Sequence, residues 1–141
     1  MVPVNYWAVI ASALIMMVLG ALWYGPLFGK QWASLMGLKI PEKIGDKERN
    51  AMMRSYALMA LGSLVMSFVL AHAVIFAESY LGMSGAVAGG EIGLLNWLGF
   101  VTPITLSTVL WEGKPWKLWF INVGYYFVGM LVVGVLLSIW Q

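Results

Sequence analysis

Glu91, His72, Asn96 and Asn122 fall inside stretches apolar enough to cross a bilayer. A polar or ionisable side chain in hydrocarbon is costly, so each is by default a functional candidate. Glu91 is the sharpest of the four. With His72 at similar depth on the preceding span, it could bind a cation or carry a proton. Histidine titrates near about pH 6.5 and burial raises a carboxyl toward that value. Helical spacing puts Glu91 on a stripe with Leu95, Leu98, Thr102 and Thr105, which would line a polar path between subunits or against the first and fourth helices. The competing expectation is structural. Glu91 then snorkels to the outer headgroups, His72 hydrogen-bonds a backbone carbonyl, and the asparagines join helices by amide hydrogen bonds.

Other chemistry is sparse. No second carboxylate lies close to Glu91 in sequence, no metal-ligand spacing surrounds the single histidine, and no glycine loop suits a phosphate. The chain has no cysteine, which excludes disulfides, thiol nucleophiles and iron–sulfur clusters. No catalytic residue, metal or cofactor is therefore expected, and no enzyme. The turn Trp111-Glu112-Gly113-Lys114-Pro115-Trp116 could hold a lipid headgroup or a partner, although its ordinary use is as an interfacial turn.

The elements that must position these residues are membrane helices. With 62% hydrophobic and 10% charged residues in 141, and a mean hydropathy of +0.87, the chain excludes a water-soluble monomer, since soluble domains carry about 25% charged residues. Spans of about 20 apolar residues fit residues 5–24, 54–77, 86–110 and 116–140, making one transmembrane domain over 1–141. The fold class expected is all-α, a four-helix antiparallel bundle.

All eight basic residues lie in two places, Lys30 to Arg54 and Lys114 to Lys117. Basic loops stay in the cytoplasm, so both termini point outward. The same confinement explains the basic balance through orientation and anionic lipid at the 30–53 loop, and argues against nucleic acid. Asp46 is a suitable N-cap for an extended second helix. Trp7, Trp23, Trp32, Trp111, Trp116, Trp119 and Trp140 fall near span ends, where indoles favour the headgroups; Trp97 alone sits mid-span. The rim so drawn joins Trp23, Tyr24, Gly25 and Pro26 to the Trp111–Trp116 turn.

Small residues mark close helix contacts in lipid. Gly85, Gly89 and Gly93 recur every four residues, and Ala60, Ser63, Ser67 and Ala71 form a small face on the second span. The two seams predict a tight hairpin of the second and third helices, and so thin a bundle implies a homo-oligomer. Pro103 withdraws a donor from the Gly99 carbonyl and predicts a kink, with Thr102 and Thr105 near enough to satisfy the freed group. Leu22-Trp23-Tyr24-Gly25 and Leu110-Trp111-Glu112-Gly113 hint at an internal repeat, a pattern that also recurs at unrelated interface turns.

Several of these runs carry a resemblance. Asn5-Tyr6-Trp7, the run from Gly20 through Trp23-Tyr24-Gly25-Pro26-Leu27-Phe28-Gly29 to Trp32, Trp111 to Trp116, and Asn122-Val123-Gly124-Tyr125-Tyr126 resemble the small bacterial membrane proteins grouped as "domain of unknown function 1761". The resemblance spans almost the whole chain and implies a four-helix protein of the inner membrane. It implies no activity or site. Two functions stand as expectations: an oligomeric channel or transporter for a small ion or solute, or a non-transporting partner, scaffold or lipid-binding protein acting through the basic, tryptophan-rich rim.

Overall fold

A computed structural model describes residues 3–38 and 45–141; Lys39, Pro41 and Lys43 of the basic loop lie outside them. All regular structure among the described residues is helical. Helix α1 (Tyr6–Leu22) runs into a π-helical turn, Trp23–Leu27, and is followed by α2 (Gly29–Met36) and the long α3 (Asp46–Leu81). Next come α4 (Gly85–Asn96), a second π-helical turn at Trp97–Val101, the short α5 (Thr102–Thr105) and α6 (Ser107–Leu110), and α7 (Trp116–Ile139). Four helical stretches are long and apolar enough to cross a membrane: Tyr6–Leu27, Asp46–Leu81, Gly85–Leu110 and Trp116–Ile139. The chain is a multi-pass membrane protein.

Local chemistry sets the ends. The Asn5 side-chain oxygen accepts from the Trp7 and Ala8 amides at 3.0 and 3.2 Å, satisfying donors that the first turn of α1 leaves free. Gly37 and Gly82 close α2 and α3 in the left-handed conformation. The N-cap of α3 is Gly45, not Asp46; Asp46 and Glu48 instead occupy the first turn, where the helix dipole favours carboxylates.

Helix α7 is the hub, packed against α1, α3 and, most extensively, α4. This corrects the expected hairpin seam. A Cβ on Gly89 would collide with the Gly134 carbonyl, and one on Gly93 would stand 2.9 Å from the Met130 carbonyl carbon, so the glycine face of α4 meets α7 rather than α3. The physical reason is Gly134 itself. Its own missing Cβ leaves room for the α4 backbone, with the Gly93 Cα 3.3 Å from the Cβ site. Gly85 is no part of the seam: it opens α4 at φ 82 with nothing within 4 Å of its Cβ site, and its carbonyl accepts from the Ser138 hydroxyl at 2.7 Å. Ser63 and Ser67 are buried as a small face should be, on a helix whose most extensive neighbour is α1.

At 36 residues, α3 is about 54 Å long at 1.5 Å per residue, against about 30 Å of hydrocarbon. Every residue from Gly45 to Met59 is exposed. The buried positions of α3 begin only at Ser63 and end at Val74, so residues 46–59 stand clear of the other described elements.

Both π-turns begin with a Trp-x-Gly run, Trp23-Tyr24-Gly25 and Trp97-Leu98-Gly99. In the first, the Phe28 amide reaches back five residues to the Trp23 carbonyl at 2.8 Å, and a Cβ on Gly29 would lie 2.5 Å from the Tyr24 carbonyl oxygen. In the second, the Thr102 amide bonds the Trp97 carbonyl. Trp111 occupies a non-helical turn, so the structural counterpart of Trp23 is Trp97 rather than Trp111. At Pro103, where a kink is expected, the helix is interrupted by this preceding π-turn.

Replacing Gly93 with valine should destabilise the fold by about 1–3 kcal/mol through overpacking, read as a lowered unfolding midpoint in detergent. Gly62→Ala, where nothing lies within 4 Å, should leave the midpoint unchanged or raise it; equal losses from both would show that the α4–α7 contact is not the tight one.

Candidate functional site

The polar groups of the spans converge on the first half of α7. The Trp23 indole donates to the Ile121 carbonyl and the Trp97 indole to the Val123 carbonyl, each at 2.9 Å. Between them the Tyr24 hydroxyl donates to the Asn122 Oδ1 at 3.1 Å. The Tyr125 hydroxyl crosses back to the Met16 carbonyl at 3.0 Å, and the Trp119 indole donates to the Thr105 hydroxyl oxygen at 3.0 Å. Helical carbonyls keep a second lone pair, which lets α7 accept the two indoles without losing its own ladder. Rings reinforce the grip: Tyr24 lies 5.4 Å from Tyr125 and 5.5 Å from Trp32, and Trp97 lies 4.9 Å from Phe127, centroid to centroid.

This arrangement breaks up the expected polar path. Glu91, Leu95 and Leu98 are exposed, but Thr102 and Thr105 are half-buried, and Thr105 turns toward α7 to meet Trp119. The reason is the second π-turn. A helix read at 3.6 residues per turn gains one residue there, which rotates everything after it by about 100°. The threonines do not satisfy Gly99. Thr102 donates to the Trp97 carbonyl at 3.2 Å, and Thr105 to the Val101 carbonyl at 2.7 Å. Asn96 bonds back to the Ile92 carbonyl at 2.8 Å on its own helix.

His72 and Glu91 are not paired within the chain. His72 Nδ1 sits 2.9 Å from the Phe68 carbonyl oxygen, the structural alternative anticipated for it. Glu91 points outward, on α4 away from the glycine contact. Among the described residues no group of three His, Asp or Glu side chains could hold a metal ion.

The rim divides as well. Trp111, 86% exposed, and Trp116, 52% exposed, with Glu112 and Gly113, form a surface turn, while Lys114 is half-buried. Gly113 is left-handed at φ 66, and the Lys114 amide returns to the Thr108 carbonyl at 3.0 Å. Gly25 and Pro26 are exposed. Trp23 and Tyr24, by contrast, belong to the α7 contact, and Trp119 is buried at 9%; each finds a hydrogen bond inside the protein and has no need of the headgroups.

A second polar cluster lies at the opposite end of the molecule. Glu78 accepts from the Ser138 hydroxyl and from the Gln141 amide, while the Asn5 amide reaches the Trp140 carbonyl at 3.4 Å. The Glu78 contacts latch the end of α3 to the end of α7, and the Asn5 contact ties the start of α1 to the same place. The sequence gives no sign of this role for Glu78, because its partners lie some 60 residues away. The buried hydroxyls of Ser12 and Ser67 have no hydrogen-bond partner.

Tyr24→Phe and Asn122→Ala should each weaken the fold, and together by less than their sum, with a coupling of about 0.6 kcal/mol, the usual size for a membrane hydrogen bond. A coupling of zero in detergent unfolding would remove the Tyr24–Asn122 bond as a stabilising contact.

With these contacts in place, comparison with known proteins adds the family and nothing finer. No curated protein and no solved structure matches the chain. A family model, "Protein of unknown function (DUF1761)", matches residues 7–138, a stretch that takes in both π-turns, the α4–α7 glycine contact and the aromatic grip on α7. The chain belongs to that family.

Proposed function

We propose that this protein is a non-catalytic, homo-oligomeric component of the bacterial inner membrane that engages anionic lipid headgroups through its basic face. The observation that carries the reading is the exposed start of α3, residues 46–59, where Lys47, Arg49 and Arg54 lie on a stretch that no other described element covers. Lys47 and Arg49 alternate with Asp46 and Glu48 at the far tip, and Arg54, with no acidic neighbour in the chain, lies nearest the bundle. Exposed Trp111 and Trp116 supply the aromatic surface that headgroups favour.

The orientation that goes with this reading is N-out/C-out in an antiparallel bundle. It is supported by the confinement of all eight basic residues to two loops, and by contacts that run in opposite senses along α4 and α7, Gly89 with Gly134 and Gly93 with Met130.

A nanodisc-reconstituted variant with Lys47, Arg49 and Arg54 all changed to glutamine should retain less anionic lipid by native mass spectrometry. Each charge contributes about 1 kcal/mol near a membrane surface, so the loss should approach a hundredfold in affinity at low salt. Retention equal to that of the parent protein would sink the lipid-binding reading.

Transport is the second reading, favoured by one observation: Glu91 and His72 face outward, so a polar seam would have to form between copies. A proton or cation flux in liposomes that falls in Glu91→Gln supports it, and a flux identical to that of protein-free vesicles removes it.

A further inference from the structure

The atoms of His72 and Glu91 left over by the fold are complementary. A carbonyl oxygen only accepts, so the 2.9 Å contact with Phe68 fixes the hydrogen on His72 Nδ1. Nε2 is then the one ring atom free to meet a partner. His72 is half-exposed, flanked one turn away on either side by Phe68 and Phe76, both exposed apolar residues of the same α3 stripe. Glu91 is exposed on α4, flanked by Val87 and Leu95, 73% and 65% exposed. Each surface is thus one polar side chain set between apolar turns.

The depths agree. Glu91 lies six residues into α4 and His72 nine residues before the end of α3, about 9 and 14 Å from those ends at 1.5 Å per residue. The remaining difference is within reach of a glutamate side chain and an imidazole.

We propose that Glu91 of one copy bonds His72 Nε2 of a neighbouring copy, joining the α4 surface of the first to the α3 surface of the second. This rests on the homo-oligomeric reading given above. The partner is a second copy because the two surfaces complement each other in charge and in their apolar flanks, and because one chain cannot bring them together while its α4 glycine face is held on α7. One proton serves the contact. Imidazolium with carboxylate and imidazole with carboxylic acid are both neutral as pairs, so neither copy leaves a net charge in hydrocarbon. Apolar side chains gain little by leaving lipid for each other, so this pair supplies specificity that the surrounding valines, leucines and phenylalanines do not.

The cysteine-free chain makes the test clean. Two tagged forms, Phe76→Cys and Val87→Cys, keep the pair intact and place one thiol beside each half of it. Co-expressed and treated in membranes with a short thiol crosslinker, they should give a mixed dimer severalfold in excess of either self-dimer. Glu91→Leu or His72→Leu should abolish that excess, and the exchanged pair His72→Glu with Glu91→His should restore it; the unfolding midpoint of each variant in detergent confirms that the subunit is intact. A mixed dimer insensitive to both leucine variants overturns the pair while leaving the oligomer standing. Self-dimers in excess overturn the α3–α4 pairing. A native mass showing one copy in nanodiscs overturns the oligomer and the pair with it.

Discussion

Polar groups in hydrocarbon have no water to turn to, and in this protein α7 is where Trp23, Tyr24 and Trp97 find partners. Two indoles, from different spans, use the spare lone pairs of the Ile121 and Val123 carbonyls, and a phenol uses Asn122. Because α7 carries no proline and runs unbroken from Trp116 to Ile139, it can accept these bonds without losing its own. The more irregular spans, the first and third, are the ones that donate into it. Removing the regular helix would leave several buried donors unsatisfied at once, which is why the other helices are arranged around it.

Two kinds of contact hold that arrangement. Toward the end marked by Glu78 and Gln141, glycine lets backbones approach, Gly89 and Gly93 against Gly134 and Met130, with Ser138 fastening the turn at Gly85. Toward the basic end, aromatic rings take over between α1 and α7. Helix α3 joins only the first of these regions and leaves the second. The molecule is therefore closed at one end and open at the other, and the open end carries the basic residues.

What could be read from the sequence follows from what each signal depends on. Apolar length depends on neighbours in the chain, and the four spans were legible from it; so was the family, through the Trp23-Tyr24-Gly25-Pro26-Leu27 run. Gly89 and Gly93 were legible as a contact face, but their partner was not, since the choice of α7 over α3 turns on Gly134, 45 and 41 positions further on. Tryptophan was an ambiguous signal for a physical reason: an indole N–H is satisfied equally by a headgroup or by a backbone carbonyl. Trp23 took the second course, while Trp111 and Trp116 stay exposed at the surface. Glu91 lies two residues from both Gly89 and Gly93, on the opposite side of the helix, and no break intervenes to change that facing. The placement of Thr102 and Thr105 was not legible, because a stripe drawn at constant pitch fails at the first π-turn it crosses.

The π-turns also bear on how such a chain can change. Each is, in geometric terms, a one-residue insertion retained inside a helix, and it acts as a phase shift: side chains before it keep their facing, and those after it are turned by about 100°. A single deletion within Trp97–Val101 would restore an ordinary helix, carry Thr105 off the Trp119 indole, and bring a different set of side chains into line with Glu91. The surface of the third span beyond the π-turn can thus be re-faced without substituting any residue that lies on it.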